Sequence, residues 1–200
     1  MNEIQKIENY ISNLTINNVY PPKSLNEFDE LDSFEDFEDL KRQINEGLIK
    51  LIIPDHLLYS NFKETSTKKY KFLSTFFSLF PYIIGLIFLV IGFSENNYLL
   101  FLTIPICFFA FYLSAYFRNF IFHFMLMCFG IYLMTTPNFN IGAFVFTYSI
   151  TIISSILFRT YRRLGFIKSA ESSEKIFCFL FYARNISVYD NILKIIIKSL

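Results

Sequence analysis

The sequence predicts an all-α membrane protein whose four transmembrane helices form two antiparallel hairpins, with small amphipathic segments at both ends. Hydrophobic residues make up 54% of the 200 residues and charged residues 18%, with 27 Phe, 13 Tyr and no Trp. The charges are unevenly distributed, because residues 1–71 carry 22 of the 35 charged side chains and residues 72–158 carry only Glu95 and Arg118. So long a stretch with so few charges is typical of a membrane domain. We therefore expect three segments, at 1–71, 72–158 and 159–200.

Four uncharged stretches within the central segment predict the transmembrane helices. A helix needs about 20 apolar residues, rising about 1.5 Å each, to cross a hydrocarbon layer of about 30 Å. The third stretch is the shortest, and a re-entrant segment is the alternative there. The predicted spans are 72–93, 98–117, 119–136 and 141–158.

Lysine and arginine occur at alternate junctions between these stretches, which predicts the orientation of the chain. Basic residues flank the cytoplasmic ends of most transmembrane helices. Four crossings place every basic junction on one side, so both termini are expected in the cytoplasm, at an endomembrane or a bacterial inner membrane. The basic residues concerned are Lys63, Lys68, Lys69, Lys71, Arg118, Arg159, Arg162 and Arg163.

Small side chains recur at helical spacing along two of the predicted spans. Helices in lipid associate through close packing of small residues, because lipid supplies no hydrophobic drive between them. The small residues are seven apart in the first span and four apart in the fourth, so each set lies on one helix face. The predicted interhelical seam comprises Ser78, Gly85, Gly92, Ala143, Thr147, Thr151 and Ser155. The alternative is that they are incidental, since small residues occur in every membrane helix.

Two amphipathic helices are predicted in the N-terminal segment. Apolar residues three and four apart predict the first helix over 2–14. The second is predicted to begin with Ser33 as its N-cap and to end before Pro54, with Gly47 as its weak point.

An acidic and aromatic stretch precedes this second helix and continues into its first turns. Eight carboxylates fall within residues 27–39, and Phe or Leu recurs among them at every third position. One interpretation is a docking surface for a basic partner. The other is a solvated acidic face whose aromatic side packs on helix 2–14 or on the membrane surface. The candidate docking residues are Phe28, Phe34, Phe37, Glu35, Asp36, Glu38 and Asp39.

Two apolar runs follow the fourth span. Residues 176–183 are too few to cross a membrane and predict a buried strand or an interfacial segment. Residues 188–200 predict a helix with a wide apolar face and a basic strip, as in helices that lie in the headgroup plane. Docking onto residues 1–60 would use the same face.

The chain lacks the residue patterns of catalytic, cofactor and metal sites, and none is predicted. It contains no glycine-rich nucleotide loop, nucleophile elbow or zinc-protease motif. Cys107, Cys128 and Cys178 are widely separated, so neither a disulfide nor a zinc site is expected. His123 is the only histidine in a span, and the spans contain no Asp or Glu that would join it in a proton relay. The net charge of +1 argues against a strongly basic nucleic-acid binder.

Three short motifs adjoin the predicted hairpins. An acidic-aromatic phrase spans Pro22–Asp29, an aromatic-Asn phrase spans Leu57–Phe62, and the fourth span closes with Ser155 and Arg159. With two hairpins, short loops and cytoplasmic ends, they resemble the prenylated Rab acceptor family. The absence of a His near Arg159 and the additional tail 164–200 depart from that family. The resemblance implies a role in vesicle trafficking through binding of small GTPases.

Together these observations predict a non-enzymatic membrane adaptor that recruits a cytoplasmic partner. The alternative is a small oligomeric channel or membrane-perturbing effector, whose pore the Ser/Thr stripe of the fourth span would line. A lipid-modifying enzyme without recognisable motifs is a third class. The expected partners are the lipid bilayer and a cytoplasmic protein or a second copy of the chain, with no nucleic acid and no cofactor.

Overall fold

The computed structural model describes residues 2–14, 20–54 and 65–199 and is mostly helical. The described helices are α1 (Glu3–Ser12), α2 (Phe37–Asn45), α3 (Lys68–Ser94), α4 (Thr103–Leu113), α5 (Phe120–Met134), α6 (Phe139–Ser172) and α7 (Glu174–Tyr182). The described strands are β1 (Ile49–Ile52), β2 (Ser187–Asp190) and β3 (Ile195–Ile197). Short 3-10 turns occupy Leu25–Glu27, Asp29–Leu31 and Tyr98–Leu102.

The chain divides into two compact units. The first, here called the terminal unit, comprises Met1–Lys71 and Arg162–Leu200. The second, the helical unit, comprises Phe72–Tyr161. Both ends of the chain therefore contribute to one folded body.

In the terminal unit, the helix predicted from Ser33 to Pro54 is much shorter than expected. It begins at Phe37, because the Asp36 carboxylate is the N-cap and accepts a 2.7 Å hydrogen bond from the Asp39 amide. It ends before Gly47, whose φ of +74° suits a residue without a side chain. The amides of Gly47 and Leu48 bond back to the last turn of α2, as in a Schellman motif. The reversal leads directly into β1, which occupies the second half of the predicted helix.

The apolar run after the fourth span is the buried helix α7, so the predicted strand or interfacial segment is wrong. All residues from Ile176 to Phe181 are buried. A helix that is apolar on every side requires a partner on every side. Packed around the same core are α1, β1 and β2, together with the turns that precede α2. The run therefore forms the centre of the terminal unit.

The predicted helix at 188–200 is also wrong, because residues 188–197 form most of β2, a turn and β3. The sheet is antiparallel with the order β1-β2-β3, and Leu51 pairs with Val188. The Asp190 carboxylate accepts from the amides of Ile192 and Leu193 at 2.7 and 2.9 Å, which fixes the turn. Branched residues in β3 favour a strand over a helix. Hence the terminal unit is mixed α and β, and the all-α prediction fails there.

The predicted helix over 2–14 is confirmed as α1, with Ile7 and Ile11 buried in the core. Polar bonds join it to α7. Ser173 donates a 2.5 Å hydrogen bond to Glu8, and Lys175 donates to Ser12. The C-terminal segment thus docks on the N-terminal one through α7 and β2, which was one of the two alternatives from sequence.

In the helical unit, α3 to α6 run alternately in opposite directions. At one end the Asn97 and Asn140 side chains are joined by a 2.6 Å hydrogen bond. At the other end the rings of Phe77 and Tyr161 stack with centroids 5.4 Å apart. Within an 18-residue apolar stretch of each helix, 56% of α6 is buried, against 22% of α3. Of the two helices long enough to cross a membrane, α6 is therefore the more enclosed.

Four full-length spans are confirmed only in part. Two helices, α3 with 27 residues and α6 with 34, are long and apolar enough to cross a membrane. The others are shorter apolar helices at Tyr98–Leu113 and Phe120–Met134. The predicted helix 98–117 begins as a 3-10 turn because Pro105, in the first turn of α4, has no amide to donate.

Candidate functional site

The predicted stripe on the fourth span faces the interior of the helical unit. Ala143, Thr147, Thr151 and Ser155 are all completely buried. The Thr151 hydroxyl donates to the Thr147 carbonyl at 2.7 Å, a common way of satisfying a hydroxyl inside an apolar bundle. Here α6 presents a column of hydroxyl groups to its neighbours.

One end of this column forms a polar cluster with α4. The hydroxyls of Ser114 and Ser155 are 2.6 Å apart. Arg159 donates to the Ser114 carbonyl at 3.1 Å and to the Ser114 hydroxyl at 2.9 Å. Because Ser114 is the C-cap of α4, the guanidinium neutralises carbonyls that a helix end leaves unpaired. This cluster attaches α4 to α6 and leaves the guanidinium well satisfied.

The small residues predicted to form a seam on the first span differ in how deeply they are buried. Gly85 and Gly92 are buried, whereas Ser78 is half-buried. A Cβ atom at Gly85 would lie 3.4 Å from the Cys107 Sγ, an ordinary contact distance. The Cys107 thiol donates to the Pro81 carbonyl at 3.3 Å across the same α3–α4 contact. The two glycines thus lie where neighbouring segments approach.

Among the glycines, the closest backbone approach between helices involves two that the sequence analysis missed. A Cβ atom at Gly142 would lie 2.5 Å from the Met134 amide nitrogen and 2.7 Å from the Gly130 carbonyl oxygen. A Cβ atom at Gly130 would lie 2.7 Å from the Phe146 amide nitrogen. Only glycine lets the α5 and α6 backbones pass this closely. The sequence feature that could have identified these two glycines is their position on either side of the Thr135–Asn138 turn.

Two buried polar atoms of the helical unit lack hydrogen-bond partners among the described residues. They are the His123 Nδ1 and the Thr147 Oγ1. The His123 ring lies 5.9 Å from that of Tyr148. The only carboxylate between residues 72 and 161 is Glu95, which is exposed and lies at the α3–α4 connection. The arrangement thus offers His123 no acidic partner.

The exterior of the helical unit is strongly apolar. Large side chains that are 41–70% exposed cover the outward faces of α3, α4 and α5. Apolar patches larger than a few hundred Å² are rare on soluble monomers. The exposed side chains include Phe72, Phe76, Leu79, Ile83, Leu86, Ile87, Val90 and Phe93 on α3, Phe108, Phe109 and Tyr112 on α4, and Phe120, Ile121, Phe122, Phe124, Met125, Phe129, Ile131 and Tyr132 on α5. Hydroxyl groups inside and hydrocarbon outside reverse the arrangement of a soluble domain.

In the terminal unit, the aromatic half of the predicted docking surface lies in the core. Phe28 and Phe34 are 4% and 7% exposed. The Phe28 ring makes an edge contact with Phe181 at 5.2 Å, and half-buried Phe37 lies 6.1 Å from Phe177. Phe28 and Phe34 are therefore not available to a partner, and their place in the predicted docking surface is corrected, whereas Phe37 keeps part of its surface exposed.

Six carboxylates of the acidic stretch 27–39 divide into two groups. Asp36 caps α2, Glu38 pairs with Lys41, and buried Asp39 accepts from Arg42 and Gln43. The exposed carboxylates of Asp29, Asp32 and Glu35 form no hydrogen bond or ion pair within the described residues. We call these three the acidic patch. Of these three, only Glu35 belongs to the predicted docking residues, whereas Asp29 and Asp32 come from the same acidic stretch.

Two of the three motifs behind the family resemblance have local structural roles in this chain. Ser24 begins a capping box with Glu27, and its hydroxyl donates to Glu174 at 3.1 Å. The Leu25 amide donates to the same carboxylate at 2.9 Å. The phrase Leu57–Phe62 lies outside the described residues. No group of His, Cys, Asp or Glu suited to a metal occurs in the part of the chain that the structure describes.

Cys178 lies on α7 and is completely buried. Burial, reinforced by the carboxylates of Glu174 and Glu27, raises the pKa of its thiol from 9.0 to about 12. The thiolate is the reactive form of cysteine, so this residue is chemically inert in the folded unit.

We expect Cys178 in the folded chain to resist N-ethylmaleimide at pH 8. A pKa raised by about three units lowers the thiolate fraction about a thousandfold, and burial excludes the reagent as well. Peptide-resolved mass spectrometry before and after unfolding in detergent measures this. Labelling of Cys178 in the folded chain at the unfolded rate would contradict the buried position of α7.

Comparison of this chain with protein-family models, with characterised proteins and with solved structures finds no match.

Proposed function

We propose that this chain is an integral membrane protein with both termini in the cytoplasm, acting as a non-enzymatic adaptor that recruits a cytoplasmic protein to the membrane. The observation that carries the proposal is the reversed polarity of the helical unit. Its exposed side chains are large and apolar, while Ser114, Thr147, Thr151 and Ser155 are buried. Lipid tolerates such an exterior without cost, whereas water does not.

Pairing within the terminal unit supports an even number of crossings. Strand β1 precedes the helical unit in sequence and β2 follows it, yet the two strands are hydrogen-bonded neighbours. Two strands can pair only on the same side of a membrane. A chain that leaves this side at α3 must therefore return by the end of α6, which favours two or four crossings over three.

Alternation of the four helices supports four crossings. The Asn97–Asn140 bond brings the first and third connections to one end, and Arg118 lies in the second connection. Arg118 then lies on the same side of the membrane as Lys68 and Arg162, as the positive-inside rule requires. The 15 residues of α5 span only about 22 Å, so local thinning of the bilayer accompanies this arrangement.

The acidic patch supports an adaptor role. Asp29, Asp32 and Glu35 are exposed on a folded body and have no intramolecular partner among the described residues. Exposed carboxylates of one sign steer and orient a basic segment of a partner. A trafficking role, which the resemblance to the prenylated Rab acceptor family implies, is one form of this proposal.

Charge reversal of the acidic patch tests the adaptor role. We expect the triple variant Asp29→Lys, Asp32→Lys, Glu35→Lys to lose about tenfold of the partner recovered by crosslinking from intact membranes, because like charges then oppose the partner. Quantitative mass spectrometry of the crosslinked material measures this. Deleting residues 1–60 is less informative, since they supply half of the terminal core.

The matched control is Glu46→Lys, which reverses another exposed carboxylate of the terminal unit. The control should recover the same partner as the unmodified chain. If the triple variant and the unmodified chain recover equal amounts of the partner, the acidic patch has no adaptor role.

A small oligomeric channel is the second candidate, and the unpartnered Thr147 hydroxyl favours it. A buried hydroxyl without a partner is costly unless water or a permeating species reaches it. The channel hypothesis expects conductance from purified protein in liposomes that is lost when Thr147→Leu and Thr151→Leu are combined. Absence of conductance from the unmodified chain would favour the adaptor.

A further inference from the structure

The turn between β2 and β3 carries large aliphatic side chains that face solvent. Ile192 and Leu193 are 68% and 66% exposed, and the adjoining Ile195 and Ile196 of β3 are 49% and 51% exposed. None of the four belongs to the hydrophobic core of the terminal unit as the structure describes it. We call residues 192–196 the hairpin tip. A continuous group of exposed aliphatic side chains is typical of a surface that binds a partner or a membrane.

The conformation of the turn does not account for these aliphatic side chains. The Asp190 carboxylate fixes the turn by accepting from the amides of Ile192 and Leu193, so the side chains of those two residues take no part. The Asn191 side chain attaches the turn to the neighbouring loop by donating to the Gly47 carbonyl at 2.7 Å. Turns favour Gly, Asn, Asp, Ser and Pro. Ile and Leu at these positions are therefore exposed to water at a cost that a further apolar contact would remove.

Basic side chains accompany the apolar ones. Lys194 and Lys198 are exposed at either end of β3, and Lys50 is exposed on β1 of the same sheet. None of the three forms an ion pair with a residue that the structure describes. These lysines outnumber the carboxylates of Glu46 and Asp190, which adjoin the hairpin. Aliphatic side chains beside lysines complement an anionic membrane surface, because its hydrocarbon accepts the former and its headgroups attract the latter.

The same lysines oppose pairing of β3 with a second copy of the chain. Strand β3 lies at the edge of the sheet, whose order is β1-β2-β3. Lysines on an edge strand are a common means of preventing association between strands. The strand has only three residues, and Ile192 and Leu193 lie outside it, so strand pairing would leave them in water. A lipid surface covers the turn as well as the strand and is therefore the favoured occupant.

We propose that the hairpin tip anchors the terminal unit to an anionic membrane surface. Ile192 and Leu193 insert among the acyl chains next to the headgroups, and Lys194 and Lys198 bind the anionic headgroups. The inference rests on the proposed membrane location of the chain, and it adds a contact with lipid that lies outside the helical unit. Cytoplasmic leaflets carry anionic phosphatidylserine, which suits a terminal unit on that side.

Quenching by lipid-attached nitroxides tests the anchor on the full chain. In a chain without native cysteines, Leu193→Cys carries a fluorophore, and the protein is reconstituted in phosphatidylcholine vesicles with or without phosphatidylserine. A nitroxide just below the headgroups quenches a fluorophore only at close range. Val90→Cys, at an exposed position of α3, reports separately whether the helical unit lies in lipid. Tyr20→Cys, at an exposed position of the terminal unit outside the hairpin tip, is the matched control.

We expect quenching of the fluorophore at Leu193, more strongly with phosphatidylserine, and no quenching at Tyr20. The ratio of quenched to unquenched fluorophore at Leu193 should fall about tenfold in Ile192→Ser, because an aliphatic side chain is removed from lipid. With phosphatidylserine present, Lys194→Gln and Lys198→Gln should each lower the ratio about fivefold. All three replaced side chains are exposed, so their loss leaves the fold intact.

The outcomes separate the anchor from the proposed membrane location. Quenching at Val90 but not at Leu193 overturns the anchor alone, whereas quenching at neither position overturns both proposals. Lys23→Gln, which replaces an exposed lysine beside the first turn of α7, should leave the ratio unchanged. An equal loss in Lys23→Gln, equal quenching at Tyr20, or quenching that does not depend on phosphatidylserine also overturns the anchor. Crosslinking of Leu193→Cys between copies without quenching by lipid would assign the hairpin tip to a second copy instead.

Discussion

Gly142→Ala is expected to destabilise the helical unit by about 3 kcal/mol or more, a large effect for the addition of one methyl group. The new Cβ atom would lie 2.5 Å from the Met134 nitrogen and 2.7 Å from the Gly130 oxygen. Both are backbone atoms, so relief requires α5 and α6 to separate rather than a side chain to rotate. The intrinsic preference of a helix for Ala over Gly offsets only about 1 kcal/mol of this destabilisation. Thermal unfolding of the detergent-solubilised protein measures the loss.

The matched control for Gly142→Ala is Gly85→Ala, the same substitution inside another helix of the unit. Its Cβ atom would meet the Cys107 Sγ at 3.4 Å, an ordinary contact. We expect a change within about 1 kcal/mol of zero. If both variants unfold at the same temperature as the unmodified chain, the close approach of α5 and α6 is wrong.

Phe181→Ala is expected to cost the terminal unit about 3–5 kcal/mol, the usual range for removing a buried aromatic ring. Phe181 is completely buried, with its ring 5.2 Å from Phe28 and 5.9 Å from Phe177. These contacts join the N-terminal turns to α7, so their loss weakens the association of the two chain ends. The rate at which Cys178 becomes labelled by maleimide reports the opening of this core.

Tyr20→Ala removes an aromatic ring that is 64% exposed in the same unit and serves as the control. It should leave Cys178 labelling unchanged, whereas Phe181→Ala accelerates it. Equal labelling in both variants would mean that α7 does not hold the terminal unit together.

Local patterns allowed the sequence to predict the helical unit better than the terminal unit. The apolar runs that became α3 and α6 are long, and no soluble element competes for them. Gly130 and Gly142 were missed because their role depends on the approach of two backbones across a turn. Neither spacing within one helix nor composition reveals such an approach.

The fold of the terminal unit could not be predicted, because the contacts that determine it join residues far apart in the sequence. The apolar residues of β3 also suit one face of a helix, and only pairing with β2 settles their conformation. Likewise, the sequence is compatible with Phe28 and Phe34 in a docking surface or in the core. Only the position of α7 beside them decides between the two.

The most direct measurement of the central claim is the side of the membrane on which each connection is labelled. Single cysteines at Glu95, Asn138, Lys50 and Arg163, in a chain without native cysteines, are exposed to a membrane-impermeant maleimide in sealed vesicles of known orientation. We expect the cysteines at 95 and 138 to react only from the non-cytoplasmic side, and those at 50 and 163 only from the cytoplasmic side. Reaction of all four from the same side, or release of the chain by alkaline carbonate, would contradict a four-pass protein with both ends in the cytoplasm.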